Sequence, residues 1–286
     1  MQVLKASGRK EEFKIEKIIR TCKKAGANEK LARRIAKKVK DNLYQGITTR
    51  EILDLVLNFL HHENPRLATR YNLKQSVLAL GPAGFIFEKF ICSFLNEYGY
   101  KAFMPDLLSG KCVKHEVDIV SKASKKEAIP WQETGKGLNY MVECKYHNDA
   151  GIRSGIKTAL YTKARFLDLQ KANNKKQSFD YPWLISNTKF SNMAIQYSKC
   201  EKVRLLGWKH PKGSGLERLI DKKKLYPITI LKSANSFVRK TLFSKDIITC
   251  KEFLNKKRDF YKKETKIYHD TLISLTDEAK ILLGKQ

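Results

Sequence analysis

The two clearest β-strand patterns in the chain are short apolar runs at 117–120 and 140–145, each bounded by polar residues. Because side chains alternate along a strand, Glu143 and Lys145 point to one face and Cys144 points to the other. Asp118, in the first run, can bring a second carboxylate to the face of Glu143. The pattern therefore predicts two neighbouring buried strands that carry two acids and an amine at one edge.

The N-terminal part of the chain shows the spacing of short amphipathic helices instead. A strand is predicted over 2–7, with a turn at Gly8-Arg9. Apolar residues at helical spacing then predict four short helices. They are separated at Gly26-Ala27-Asn28, at the capping box Thr48-x-x-Glu51 and at Asn64-Pro65. These features predict a small, mostly helical domain.

Predicted strands and helices alternate over residues 81–225. An apolar helix is expected at 85–98 and an amphipathic helix at 153–169, and apolar runs at 183–186 and 203–208 predict further strands. Such alternation is typical of a partly parallel sheet covered by helices.

The expected fold class is α/β, or α+β overall, in three parts. Residues 1–80 form the helical domain, and 81–225 form a mixed sheet flanked by helices. The segment 226–286 is predicted to be helical and to contain a helix pair that resembles a helix-hairpin-helix DNA module, although the glycine-bearing hairpin of that module is absent. The polar residues 122–137 predict a long loop, either lying against DNA or a disordered insertion.

The charge of the chain favours a polyanionic partner. It contains 57 Lys and Arg against 29 Asp and Glu, a net charge of +28. Each phosphate that a protein neutralises releases counterions and adds affinity, so DNA is the natural partner. A lysine-rich proteome would produce the same excess, which means that charge alone does not establish DNA binding.

Cysteine usage and hydropathy argue against several other classes of protein. The 6 cysteines include no C-x-x-C pair, which argues against a zinc site and a disulfide framework. The N-terminus has no apolar signal region, and no run approaches the length of a membrane span. We therefore expect a cytoplasmic protein without a membrane partner.

Asp118, Glu143 and Lys145 form a candidate active site. Carboxylate oxygens are the ligands that Mg²⁺ prefers, and a neighbouring amine can stabilise charge on a phosphate. Glu88 lies in the predicted helix 85–98 and is either a third acid of the metal site or a carboxylate at the exposed edge of that helix.

In this order, Asp118 followed by Glu143-x-Lys145 resembles the signature of restriction-endonuclease-like (PD-(D/E)xK) nucleases. Flanking motifs resemble the Mrr-type branch of that family: Gly84-Phe85-Ile86-Phe87-Glu88, Tyr98-Gly99-Tyr100 and His115-Glu116-Val117-Asp118-Ile119-Val120. Val117 stands where many members have proline. The resemblance implies a nuclease that depends on Mg²⁺ (or Mn²⁺). It makes Asp118, Glu143 and Glu88 metal ligands, and it makes Lys145 the group that orients the attacking water or stabilises the phosphate.

A second resemblance covers residues 1–80. Its motifs are Val3-x-Lys5-x-x-Gly8-Arg9-x-x-x-Phe13-x-x-x-Lys17-Ile18, Gly46-Ile47-Thr48-Thr49 and Ala68-Thr69-Arg70-Tyr71, and they resemble an ATP-cone, a nucleotide-sensing module. The resemblance implies that Val3 and Ile18 flank the adenine. It also implies that Lys5 and Lys17 pair with phosphates and that Thr49 offers a hydroxyl. Ala6 stands where a second basic residue is usual, and Arg9 could take its place.

Together these features predict a metal-dependent DNA endonuclease regulated by ATP or dATP. Cutting two strands with one site per chain favours two-fold symmetry, so we expect a homodimer. One alternative is a nucleotide-responsive DNA-binding regulator with an inactive nuclease fold, and another is a nuclease directed at RNA.

Overall fold

The computed structural model describes residues 1–5, 8–81, 84–124, 129, 137–149, 151–172 and 178–284. The chain divides into two compact units. The N-terminal unit comprises Met1–Lys74, Ile230–Ser233 and Tyr268–Gln286, and the central unit comprises Gln75–Thr229 and Ala234–Ile267. This division differs from the boundaries expected at 80 and 225, because the first unit ends earlier and the C-terminal segment is shared between the units.

Helices supply most of the regular structure. They are α1 (Ile15–Ala25), α2 (Glu29–Asp41), α3 (Thr49–Glu63), α4 (Pro65–Tyr71), α5 (Leu73–Leu78), α6 (Phe85–Glu97), α7 (Ile156–Lys171), α8 (Asn192–Cys200), α9 (Leu216–Lys223), α10 (Ser236–Ser244), α11 (Cys250–Asn255), α12 (Arg258–Glu264) and α13 (His269–Leu283). The last four confirm the expected helical C-terminus. No helix among the described residues has the length and apolar character of a membrane span.

The strands are short. They are β1 (Gln2–Leu4), β2 (Lys10–Glu12), β3 (Tyr100–Phe103), β4 (Leu108–Ser109), β5 (Lys114–His115), β6 (Ile119–Ala123), β7 (Asn139–Lys145), β8 (Arg153–Ser154), β9 (Tyr181–Ser186), β10 (Lys189–Phe190) and β11 (Arg204–Leu206).

The N-terminal unit packs helices around an apolar core beside the β1–β2 hairpin. Apolar faces of α1, α2, α3 and α4 meet in this core, which includes Ile18, Ile35, Val39, Val56 and Leu60. Strand β1 pairs antiparallel with β2, and Leu4 also bridges Thr48 at the start of α3. The end of β1 therefore lies beside the N-terminus of α3.

Helix caps in this unit agree with the predicted breaks. Gly26 ends α1 with φ of 105°, a left-handed conformation that glycine adopts without steric cost. Asn28 caps α2 by accepting a hydrogen bond from Leu31 N. The predicted capping box is present, since the Thr48 hydroxyl accepts from Glu51 N and the Glu51 carboxylate accepts from Thr48 N.

A five-stranded mixed sheet organises the central unit, in the order β11-β9-β7-β6-β3. Strands β11, β9 and β7 run parallel, whereas β6 is antiparallel to both β7 and β3. The mixed sheet flanked by helices that the sequence predicts is confirmed.

Helices cover both faces of this sheet. Met141 of β7 packs against Phe166 and Leu169 of α7. Cys144 points to the opposite face, where it lies near Cys92 of α6. Glu143 and Lys145, which share the face of Met141, therefore lie on the side of the sheet that α7 covers.

Two predicted elements begin later than expected. Asp118 lies immediately before β6 rather than inside a strand, and its side chain accepts a hydrogen bond from Cys144 N of the neighbouring strand. Helix α7 starts at Ile156 because Arg153 and Ser154 pair with β10. The predicted loop 122–137 falls largely outside the described residues, although β6 extends into it as far as Ala123.

Candidate functional site

Asp118, Glu143 and Lys145 meet at one edge of the central sheet. Asp118 Oδ2 accepts a hydrogen bond from Cys144 N at 2.6 Å, which fixes this carboxylate against β7. Glu143 and Lys145 belong to β7 itself, and Lys145 is solvent-exposed. The structure therefore brings together the two acids and the amine that the strand pattern predicts.

Glu88 approaches the same edge from the first turn of α6. Burial, together with the smaller effect of the nearby carboxylates of Asp118 and Glu116, raises the pKa of Glu88 to about 7. Glu88 Oε1 lies 3.3 Å from the place where a Cβ on Gly84 would stand. A glycine at this position therefore leaves room for the carboxylate.

The carboxylates at this edge disfavour one another's ionisation. Burial raises the pKa of Asp118 and of Glu143, and the Asp118 carboxylate contributes to the shift at Glu143. Hydrogen bonds from described residues engage one oxygen each of Asp118 and Glu143. Crowded carboxylates are stabilised by a cation, so the donor chemistry of this edge fits a divalent metal ion.

The metal-binding geometry is not assembled in advance. Within the described ranges, no group of three or more His, Cys, Asp or Glu side chains is placed to hold a metal ion. Glu88, Asp118 and Glu143 are thus electrostatic neighbours, and a bound cation would have to draw them closer together.

In the N-terminal unit, a carboxylate joins the two lysines that were expected to bind phosphate. Glu11 on β2 forms an ion pair with Lys5 at 2.6 Å and a second, shorter ion pair with Lys17 of α1. Hydrogen bonds from Lys17 and, to a lesser extent, from Lys5 lower the pKa of Glu11 to about 2. The two lysines therefore face a common anion position.

The other expected nucleotide contacts differ in exposure. Val3 and Ile18 are 5% and 4% exposed, so both lie largely within the core. Thr49 and Arg9 are exposed, and Thr49 is the first residue of α3. Because Leu4 bridges Thr48, Lys5 and Thr49 are neighbours at the positive end of the α3 dipole.

Two family models match the two ends of the chain. Residues 1–74 match the family model described as ATP cone domain, and residues 226–283 match the model described as AF1548-like, C-terminal. An uncharacterized protein of Archaeoglobus fulgidus is 37% identical over 163 residues, which cover 55% of this chain and 83% of the relative. The chain belongs to the AF1548-like family.

Two further similarities extend the comparison of this AF1548-like protein. A second uncharacterized protein of Archaeoglobus fulgidus is 44% identical over 46 residues, covering 16% of this chain and 98% of the relative. The crystal structure of a protein of unknown function, AF1548, superimposes with a TM-score of 0.58 at 29% identity, covering 71% of this chain and 100% of the other. The ATP-cone prediction is confirmed. None of these descriptions names an activity, so the nuclease resemblance remains a hypothesis.

Sequence reasoning missed Arg165, which contacts the candidate site directly. Arg165 of α7 donates from Nη1 to Glu143 Oε2 and from Nη2 to the Tyr161 hydroxyl. The sequence did contain a signal of this contact. Helical spacing places Arg165 on the same buried face of α7 as Thr162, Phe166 and Leu169. A charge at a core position of a helix needs a buried partner.

Glu116 is a second residue that the strand pattern could have identified. It lies two positions before Asp118, so an extended chain would point both carboxylates the same way. Its charge raises the pKa of Asp118 and of Glu88. Glu116 is exposed and therefore forms the outer, solvent-facing part of the acidic edge.

A buried polar network supports the loop that follows Lys145. His147 Nε2 is hydrogen-bonded to Ser154 Oγ at 3.0 Å, and Ser154 Oγ to Ser186 Oγ at 2.7 Å. The Asn187 side chain accepts from His147 N and donates to His147 O. Burial, followed by the charge of Lys145, lowers the pKa of His147. The network holds the imidazole of His147 in one place beside the site.

Proposed function

We propose that the central unit hydrolyses phosphodiester bonds in DNA with the help of a divalent cation. We further propose that adenine nucleotide bound by the ATP cone regulates this activity. The observation that carries the proposal is the convergence of Asp118, Glu143 and Lys145 at one sheet edge, with Glu88 and Glu116 as electrostatic neighbours.

Each residue has a role in this proposal. Asp118 and Glu143 would hold Mg²⁺ or Mn²⁺, and Glu88 would complete the acidic edge. When bound, the cation supplies Lewis-acid stabilisation and lowers the pKa of a bound water. Lys145 would stabilise negative charge that develops on the phosphate, because an ammonium already positioned beside the reacting group needs no reorganisation when that charge appears. The attacking water bonds to phosphorus as the bond to the 3′ oxygen breaks, which leaves a 3′-hydroxyl.

DNA is the substrate best matched to the charge of the chain. The net charge of +28 provides many groups that can neutralise phosphates. A cytoplasmic location and a homodimer that cuts both strands belong to the same proposal.

The regulating nucleotide would bind at the anion position that Lys5 and Lys17 form in the N-terminal unit. Lys5 and Lys17 already converge on the Glu11 carboxylate, and the α3 N-terminus lies next to Lys5. Lysine ammonium groups and a helix N-terminus are both suitable partners for phosphate. ATP or dATP would displace Glu11 from the lysines, with Thr49 at the helix end and Arg9 in the adjoining turn.

The test is cleavage of supercoiled plasmid by the full-length protein with Mg²⁺ or Mn²⁺, with and without ATP and dATP. We expect cation-dependent cutting that falls at least about 100-fold in Lys145→Ala, the size typical of removing one charge-stabilising group. A change in rate with nucleotide would connect the ATP cone to the reaction. Undiminished cutting by Lys145→Ala would refute the assigned site.

A second candidate function is a nucleotide-responsive DNA-binding regulator with an inactive nuclease fold. The pairing of Glu143 with Arg165 favours it, because an arginine already partly neutralises the acid that a metal would need. Under this alternative, Asp118→Ala and Lys145→Ala leave nucleotide-sensitive DNA binding intact, and plasmid, nicked and branched DNA all remain uncut.

A further inference from the structure

Arg165 places a positive charge inside the candidate active site. Its side chain is 9% exposed, and that of its partner Glu143 is 13% exposed. The guanidinium also lies over the Tyr161 ring, with Cζ 4.5 Å from the ring centroid. Arg165 is therefore held on two sides, by a carboxylate of the site and by a tyrosine of its own helix.

The hydrogen bonds of Arg165 are incomplete. Its Nε is buried and has no hydrogen-bond acceptor within the part of the chain that the structure describes. A buried donor without a partner opposes folding, so packing alone does not explain an arginine here. Arg165 differs from an ordinary buried arginine in its hydrogen-bond partner, because Glu143 is also a proposed ligand of the divalent cation.

Arginine and a divalent cation would compete for the same negative charge. The guanidinium occupies Glu143 Oε2, and no described residue donates a hydrogen bond to Oε1. A cation could therefore reach Oε1 while Arg165 keeps the carboxylate oriented, but it would meet a positive charge already in place.

We infer that Arg165 is a positioning residue that holds the Glu143 carboxylate at the sheet edge. The charge of Arg165 also weakens the binding of the divalent cation to Glu143. The inference rests on the proposed metal-dependent hydrolysis. It predicts that cation affinity rises and cleavage rate falls when Arg165 is replaced by an uncharged residue.

The experiment measures Mn²⁺ binding by electron paramagnetic resonance and plasmid cleavage on the same full-length preparations. Arg165→Met should bind Mn²⁺ about tenfold more tightly, the factor produced by one partly buried charge pair, and should cut DNA more slowly because Glu143 is no longer oriented. Arg165→Lys keeps the charge but lacks the planar fork, so its Mn²⁺ affinity should stay near that of the unmodified protein while cleavage falls.

Lys157→Met is the matched control. Lys157 is an exposed residue of the same helix, so the variant removes the same charge without touching Glu143. Its Mn²⁺ affinity should stay within about twofold of the unmodified protein, because exposed charges are screened.

Several results would overturn the inference about Arg165 or separate it from the proposed hydrolysis. Unchanged or weaker Mn²⁺ binding by Arg165→Met overturns the inference, and so does an equal gain in Lys157→Met. If Arg165→Met does not fold, unimpaired cleavage by Arg165→Lys overturns it instead. If Mn²⁺ affinities follow the predicted order but the unmodified protein cuts no DNA, the proposed hydrolysis fails and the competition at Glu143 stands.

Discussion

Glu11 and Arg165 illustrate at the scale of single residues how a candidate binding site is occupied by the protein's own charges. Glu11 pairs with two lysines that are expected to bind phosphate, and Arg165 pairs with an acid that is expected to bind a cation. In each case an internal ion stands where an external ion of the same sign would bind. Such a contact orients the side chains of the site and reduces their affinity for the external ion.

This residue-scale argument makes a prediction for Glu11. Glu11→Gln should tighten the binding of ATP by about two- to fivefold, because the nucleotide no longer displaces a carboxylate and exposed ion pairs are individually weak. The measurement is isothermal titration calorimetry on the full-length protein.

Glu12→Gln is the control for Glu11, since Glu12 is an exposed acid on the same strand. Weaker ATP binding by Glu11→Gln would show that Glu11 arranges the lysines rather than competing for them. An equal gain in Glu12→Gln would assign the effect to net charge.

At the scale of elements, the start of α3 combines a structural threonine with a candidate ligand. Thr48 caps the helix and also bridges Leu4, so it ties the hairpin to the helix. Thr49, the next residue, is exposed and is the proposed nucleotide contact. Adjacent residues of the same type are therefore expected to have separable roles.

Two substitutions test this separation. Thr48→Ala should destabilise the protein by about 1 kcal/mol, the usual cost of losing an N-cap. Thr49→Ala should leave the unfolding midpoint nearly unchanged and weaken ATP binding. Thermal unfolding followed by circular dichroism and calorimetric titration with ATP measure the two effects. Loss of stability in Thr49→Ala without a change in ATP binding would contradict the assignment.

At the scale of the whole molecule, the chain forms two units whose membership does not follow sequence order. The C-terminal helix α13 belongs to the N-terminal unit, where Glu278 accepts hydrogen bonds from Lys232 N and Ser233 N. The candidate metal-binding acids all lie in the central unit. Cation binding should therefore affect the stability of the central unit.

The raised pKa of Glu88 makes this effect depend on pH. Its pKa is about 7 in the folded protein against a usual 4.5. Between those values the folded protein binds a proton that the unfolded chain has lost, so stability without a cation falls as pH rises. A cation replaces that proton and should bind better above pH 7. We expect Mg²⁺ to raise the unfolding midpoint by about 2–4 °C more at pH 8 than at pH 6.

Differential scanning calorimetry at the two pH values provides the measurement. Glu88→Gln removes the titrating group, so in this variant the difference between the two pH values should shrink. An equal Mg²⁺ effect at both pH values in the unmodified protein would remove Glu88 from the cation site.

The sequence by itself determined the parts of this protein that depend on local pattern. Strand alternation predicted β7 with Glu143 and Lys145 on one face, and the Thr48 capping box predicted the start of α3, because both patterns act over a few residues. The helical N-terminal module and the mixed sheet followed from the same periodicities and were confirmed.

Only the tertiary structure decided which distant residues meet. Arg165 reaches Glu143 across 22 positions, and the contact depends on how α7 packs on the sheet. Asp118 lies just before β6 rather than inside it, and its side chain accepts a hydrogen bond from Cys144 N of the neighbouring strand. The grouping of α13 with the N-terminal unit likewise depends on packing between segments that are distant in the sequence. Local pattern specifies the face that a side chain occupies, whereas packing between distant segments specifies the partner it finds there.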